Sequence, residues 1–382
     1  MMANPTYEEN LELISDSLAC LNDKPVACYT GSATGPAIEG MTVAEFLEDP
    51  IAGVMANVRF LQRLAEDAGP IRVINSTARA MNMAVYITML WNSRVLIPGI
   101  DISADSVWQV KEEQIIDRDD YDKILAMGYT EFVNAEIIPR IIDLDYLAKY
   151  QKVAAEGGPI VSQAYAETGI AVLTGAPSTM VPFEQLCGMR SMPEFFKDCY
   201  KILDKLKEVS DFIFAEKSAQ TEIALESIKD NPAVIGGWVG GWRTASAMVN
   251  PQIWETLVWP YMKASAEQVI RFGKVAIMHL DSDWNRDIER FAELPAGQVI
   301  INTDGMTSMP RARQLLPKHT LMGDVLPALL TAGSPQQVTD YVNRLVNEVG
   351  PQGLIVCAGC DTPVNAKYEN LVAMIKATND WS

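Results

Sequence analysis

The apolar and polar positions of this 382-residue chain change rhythm along its length. Residues 6–22 carry helical spacing, and a segment rich in Gly, Ser and Thr follows at 30–40. "MTVAEFLEDP" and "ANVRFLQRLAEDAG" then set apolar side chains three and four apart, the period of an amphipathic helix. Residues 41–121 are rich in Met, Trp and Tyr with weak strand periodicity. From about residue 120, short apolar runs alternate with longer amphipathic stretches. The runs are "PIVSQAY" (159–165), "DFIFAEK" (211–217), "AVIGGWVGG" (233–241), "KVAIMHLD" (274–281), "QVIINTDG" (298–305), "TLMGDV" (320–325) and "GLIVCAGC" (353–360). Helix signals fill the gaps. Ser191 with Glu194 three residues on has capping-box spacing. Asn250-Pro251 opens a stretch that closes at Gly273, and Ser334-Pro335 one that closes at Gly350.

Strands that are apolar throughout and alternate with helices form a parallel sheet covered on its faces. The pattern therefore predicts the α/β class, a single (β/α)8 TIM-like barrel with an N-terminal helical and loop extension. The whole chain, 1–382, reads as one domain: extension and first barrel units in about 1–120, main repeats in about 120–382. An open doubly wound sheet is the alternative. No G-x-G-x-x-G follows a first strand and no G-x-x-x-x-G-K-[ST] occurs, so the usual reasons for an open nucleotide-binding sheet are missing.

Polar residues gather where the apolar runs stop. They are His279, Asp281 and Asp283, then Asn302 and Asp304, then Asp324, then Cys357, Cys360 and Asp361, with Arg243 after Gly240 and Gly241. In a barrel these ends converge on one mouth, where catalysis occurs in essentially every characterised case. One such residue is more often a helix cap or a loop hydrogen bond; four successive strands ending this way are not so easily explained. The chain has 2 histidines. His319 precedes its strand and belongs at the opposite rim. His279 and Asp281 alternate with Leu280 and so face the same way. A lone histidine on an apolar strand is commonly a satisfied core residue, but the strand-end position and Asp281 also fit an acid/base pair or metal ligands. "CAGC" follows a strand rather than opening a helix, which disfavours a redox pair. No G-x-S-x-G elbow supports a serine hydrolase.

Composition narrows the partners. A net charge of −18 repels phosphate backbones and anionic lipid, so neither nucleic acid nor a membrane surface is expected. The N-terminal segment 1–9 lacks the basic and apolar parts of a signal peptide, and no apolar run reaches the length of a bilayer span. The 6 cysteines do not form a disulfide framework in a chain this long. A cytoplasmic setting is the expectation, and a homo-oligomer is compatible with the sequence.

At "MHLDSDW", "INTDG", "MGDV" and "GCDTPVNAKYEN" the C-terminal half resembles the uroporphyrinogen decarboxylase superfamily and, within it, the corrinoid-dependent methyltransferases of anaerobes. The residues that carry it are Gly359, Cys360, Pro363, Glu369, Asn370, Leu371, Ala373 and Met374, the Gly323–Val338 stretch, and Arg243, Trp254 and Tyr261. The resemblance covers about 150–377 well and the first 120 residues loosely, and it implies a TIM-like barrel. Decarboxylases of the superfamily hold substrate carboxylates with an Arg-rich N-terminal motif. "KPVACYTGSATGPA" has no arginine, so decarboxylation is not expected. Members that deliver methyl to a thiol hold zinc through H-x-C and a distant Cys. His279 and Cys360 match two of these ligands, and Asp281 stands where the first Cys would be.

The resemblance implies the first methyltransferase of an O-demethylase. Such an enzyme moves methyl from a methyl ether, often a methoxylated aromatic, to the cobalt of a separate corrinoid protein. On that reading His279 and Asp281 handle the ether oxygen, as protein acids or as zinc ligands with Cys360. Asp304 and Asn302 orient the substrate, and Arg243 holds an anionic group. Trp238, Trp242 and Tyr165 offer aromatic walls. The alternatives are a second methyltransferase, from methylcorrinoid to a thiol or folate, and a noncatalytic barrel that binds a small ligand or a corrinoid carrier.

Overall fold

The computed structural model describes residues 5–75 and 78–381; residues 1–4 of the polar N-terminal segment lie outside the described residues, as do 76, 77 and 382. The barrel strands are β1 (Val26–Thr30), β2 (Val73–Asn75), β3 in two pieces (Ala171–Val172 and Thr174–Ala176), β4 (Gly236–Gly241), β5 (Val275–Leu280), β6 (Val299–Thr303), β7 (Thr320–Val325) and β8 (Leu354–Ala358), and Val95–Leu96 pairs antiparallel with Gln109–Val110 outside them. Each barrel strand pairs in parallel with the next in chain order, and β8 returns to β1. The pieces of β3 flank Leu173, whose N–H donates to the Ile74 carbonyl at 2.9 Å. The sheet is thus a ring, the expected (β/α)8 barrel.

Period-two alternation divides each strand between two cores. Val26, Cys28, Val73, Leu173, Ile277, Ile300, Met322, Ile355 and Cys357 fill the barrel interior. The opposite faces pack against the surrounding helices in a larger cluster. The helix Tyr7–Leu18 opens with a Thr6–Glu9 capping box. Its Ile14 enters the interior cluster, with Leu11 and Leu18 against it. Asn10 Nδ2 donates to the Gly169 carbonyl at 2.9 Å, and Thr320 Oγ1 donates to the Ser17 carbonyl at 3.0 Å. This helix plugs the end at which the strands begin, leaving the other end for polar groups.

Several local expectations are corrected. The runs from 233 onward are barrel strands, but 159–165 lies in the helix Leu144–Ala166 and 211–217 in the helix Leu203–Ile228. A short apolar run looks the same in a strand and in a half-buried helix. On the second helix the buried positions are Leu206, Val209, Ser210, Ile213, Thr221 and Leu225, spaced as a helix requires. The barrel begins instead with β1, β2 and β3, of which β2 has 3 residues and β3 is interrupted at Leu173, too little to show a period. Ser191 makes no capping bond and sits at φ 68°, while Glu194 pairs with Lys197 at 2.6 Å. The caps at Asn250 and Ser334 do form. The stretch after Asn250 breaks at Val258, before Pro260, into Pro251–Leu257 and Trp259–Arg271. Among the described residues no helix is long and apolar enough to cross a membrane.

Candidate active site

On β5, Ile277 faces the interior, and the strand period carries His279 to the same side one layer higher. On β6, Ile300 is followed in the same way by Asn302, and the register sets His279 opposite Asn302. His279 Nδ1 lies 2.6 Å from Asn302 Oδ1. Asn302 Nδ2 donates to the Met322 carbonyl at 3.2 Å, so its oxygen is the atom turned to the ring. An oxygen can only accept, so the network assigns the proton to Nδ1. Nε2 then points at Asp281 Oδ1, 3.1 Å away, and at Cys360 Sγ, 4.0 Å away.

The strand ends bring these partners in. Asp281 N–H donates to the Gly241 carbonyl at 3.3 Å, and Ser282 takes the left-handed φ of 70°. Asp304 holds the turn: Oδ2 accepts from Ser282 N at 2.6 Å and Oδ1 from Met306 N at 2.9 Å. The Trp284 indole donates to the Asp281 carbonyl at 2.7 Å. Asp304, an expected site residue, therefore has each oxygen engaged by a backbone amide of the loops that carry the site. Cys360 is delivered by Gly359, whose N–H donates to the Val325 carbonyl at 2.9 Å. A Cβ on Gly359 would lie 2.4 Å from the Asp304 carbonyl oxygen, so only glycine permits this approach.

Burial pulls the His279 pKa down, but the Asp281 carboxylate and the Cys360 thiol outweigh it and hold the imidazole well above its ordinary value. Burial pushes Asp281 up, and the same imidazole more than offsets this, leaving the carboxyl below its usual range. Burial raises the Cys360 thiol in spite of His279. The trio reads as an imidazolium–carboxylate pair beside a neutral thiol, or as three donors for a metal. Their ligand atoms all lie within 4.8 Å of one another. Tetrahedral zinc, with bonds of about 2.0–2.3 Å, sets its donors roughly 3.3–3.7 Å apart. The separations of 3.1 and 4.0 Å bracket that range, so zinc fits with small shifts and an open fourth position.

Aromatic groups wall the cluster. The Trp238 ring on β4 stands 5.5 Å from that of His279. Trp91 contacts both Trp238 and Trp242, at 6.3 and 5.6 Å. Arg243 lies over Trp242 at 4.0 Å and is 1% exposed; its Nη2 is 3.8 Å from Glu112, and its Nε and Nη1 have no partner. Glu184 secures this loop. Its Oε1 accepts from Arg243 N at 2.7 Å, Thr244 N at 3.0 Å and Thr244 Oγ1 at 2.9 Å. Burial pushes the Glu184 carboxyl up to about 7 even with Arg243 beside it. The sequence reading missed Glu184, since in "VPFEQL" it looks like any first-turn glutamate.

Other expected residues lie apart. Tyr165 belongs to the helix layer; its hydroxyl donates to the Ala78 carbonyl and accepts from Asn57 Nδ2, each at 3.0 Å. The expectation of a strand leading Tyr165 to the mouth is thus corrected. Asp324 Oδ1 accepts from the Tyr341 hydroxyl at 2.9 Å, and burial raises its carboxyl to about 6. Asp283 caps Asn285, and Asp361 accepts from Ser32 Oγ at 2.8 Å. Cys357 is in the barrel interior with Cys28. His319 Nε2 faces the Leu294 carbonyl at 3.0 Å, before β7 begins.

The family model for uroporphyrinogen decarboxylase (URO-D) matches residues 158–381. The chain belongs to the uroporphyrinogen decarboxylase (URO-D) family. Among solved structures it is similar to a methyltransferase from Methanosarcina mazei, with a TM-score of 0.65 and 14% identity over 98% of each chain. No curated protein matches the chain. In this URO-D family member the matched span holds β3–β8 and the whole His279–Asp281–Cys360 cluster, and β1 and β2 precede it.

Two outcomes follow from this geometry. In Gly359→Ala the added Cβ cannot share space with the Asp304 backbone, so the loop that delivers Cys360 and the Asp304 turn must separate. Zinc affinity, read by equilibrium dialysis, should fall at least tenfold while the barrel still unfolds cooperatively; unchanged affinity would remove Cys360 from the ligand set. Glu184 has a folded pKa above its unfolded one, so its contribution to stability is fully present below about pH 4.5 and is lost as pH rises through about 7. The loss amounts to about 3 kcal/mol at most. The difference in urea stability between Glu184→Gln and the parent should therefore shift in favour of the variant between pH 5 and pH 8. A pH-independent difference would contradict the burial argument.

Proposed function

We propose that this URO-D family member is a methyltransferase that takes methyl from a methyl ether, a methoxylated aromatic by preference, and passes it to the cobalt of a separate corrinoid protein. The observation that carries this reading is the His279–Asp281–Cys360 cluster at the barrel mouth, beside the Trp238 face. Cobalt(I) is the nucleophile and arrives with the partner, so the barrel needs no nucleophile of its own. The barrier lies at the oxygen. As the C–O bond breaks its electron pair stays on oxygen, and an aryloxide is a poor leaving group unless that charge is met.

The chain's own groups can meet it. His279 is held charged by Asp281, and its Nε2 proton goes to the departing oxygen, with the Nδ1 proton fixed on Asn302. General acid catalysis of this kind contributes typically about 10²–10⁴-fold. Zinc bound by His279, Asp281 and Cys360 would supply Lewis acidity to the same oxygen. Asn302 and Asp304 fix the histidine and the Ser282 turn, and Trp238 stacks the ring of the substrate while Trp242 and Arg243 brace Trp91 behind it. In-line placement of cobalt, methyl and oxygen provides much of the remaining acceleration.

Asp281→Ala removes the group that holds His279 charged, or one metal ligand. Methyl transfer from a methoxyarene to free cob(I)alamin, followed by its absorbance change, should fall at least tenfold with the circular dichroism unchanged. Near-parental turnover would take Asp281 out of the mechanism.

A further inference from the structure

The chain carries a net charge of −18, yet a cavity of about 400 Å³ beside the barrel mouth is lined by two cations and no carboxylate. The cations are Arg79 and Lys217; the walls include Tyr86, the Thr174–Ala176 end of β3, and Trp238. Arg79 is aimed by its ring contact, the guanidinium lying 5.1 Å over Tyr86. Lys217 projects from the helix Leu203–Ile228, with its Nζ donating to Gln220 Oε1 at 2.9 Å. Among the described residues neither cation forms an ion pair with a carboxylate, although the surface is rich in such pairs. Burial pulls the Lys217 pKa down, the mark of an ammonium taken partly out of water without full compensation. Two half-buried cations facing one cavity repel each other and keep their charge best when an anion lies between them.

Trp238 belongs both to this cavity and to the site, since its ring stands 5.5 Å from that of His279. Ser178 Oγ donates to the Trp238 carbonyl and fixes the shared wall. We propose that the cavity is a carboxylate subsite: the substrate is a small aromatic acid whose carboxylate sits between Arg79 and Lys217 and whose ring lies along Trp238 toward His279. That its far end bears the methyl ether rests on the methyl-transfer reading; the anion subsite itself does not. The subsite also answers a problem of charge. An acidic protein repels an anionic substrate, and a local cationic pair reverses that field where binding occurs. Arg243, at 1% exposure behind Trp242, does not line this cavity.

The test is calorimetric binding of 4-methoxybenzoate and of its neutral counterpart, 4-methoxybenzyl alcohol, to the parent chain and to Lys217→Met and Arg79→Met. The carboxylate should bind at least tenfold tighter than the alcohol. Each variant should lose most of that preference, with affinity for the alcohol and the melting temperature unchanged. Equal affinity for both ligands, no binding of either, or a preference that survives both substitutions would overturn the subsite. The two readings separate cleanly. Carboxylate preference without methyl transfer to cob(I)alamin leaves the subsite standing and defeats the reaction. Equal transfer from charged and neutral ethers does the reverse.

Discussion

The amide of Asn302 has no freedom to turn: its nitrogen is committed to the Met322 carbonyl one strand away, and its oxygen therefore meets His279 Nδ1 at 2.6 Å. Everything chemical at the mouth depends on that bond. It places one proton on Nδ1, so the remaining nitrogen of the ring faces Asp281 and Cys360. With the ring turned over, a ring carbon rather than Nε2 would face Asp281 and Cys360. The bond in turn depends on the β5–β6 register, which sets 279 opposite 302. A slip of one residue would turn one of the two side chains to the outer face and break the bond.

The barrel supplies this register by separating its two ends. The helix Tyr7–Leu18 and the interior layer of Ile277, Ile300, Met322 and Ile355 make one end dry. One step up the same strands come His279 and Asn302, which bond each other and the Met322 backbone carbonyl, and Asp324, which the Tyr341 hydroxyl of the helix Pro335–Val349 satisfies. The loops are built for close approach. Gly359 admits the Asp304 backbone, and Asp304 spends its oxygens on the turn that carries Asp281. Glu184 plays the corresponding part for the Arg243 loop, at the cost of a buried carboxyl whose pKa sits near 7.

The barrel and the His279–Asp281–Cys360 site were legible in the sequence because strand ends leave a period-two record: Ile277, His279 and Asp281 sit at alternate positions of one run. The first strands left no such record: β2 has 3 residues, β3 is interrupted at Leu173, and β1, "VACYT", ends in no charged residue; two places in the series were given instead to helical runs around Tyr165 and Phe212–Phe214 whose apolar residues are just as dense. Arg79, Lys217 and Glu184 were invisible for a different reason. They meet the site from separate helices and loops, and nothing local to "VPFEQL" or "FAEKSAQ" tells a buried charge from a solvated one.

Because the chain has 2 histidines, nitrogen NMR of protein labelled only at histidine tests the central claim directly. His319, with Nε2 on the Leu294 carbonyl, is the internal reference of opposite tautomer, and its burial holds its pKa down. At neutral pH His279 should keep a proton on Nδ1, facing Asn302 Oδ1, whatever its Nε2 carries. A His279 protonated on Nε2 alone would contradict that assignment.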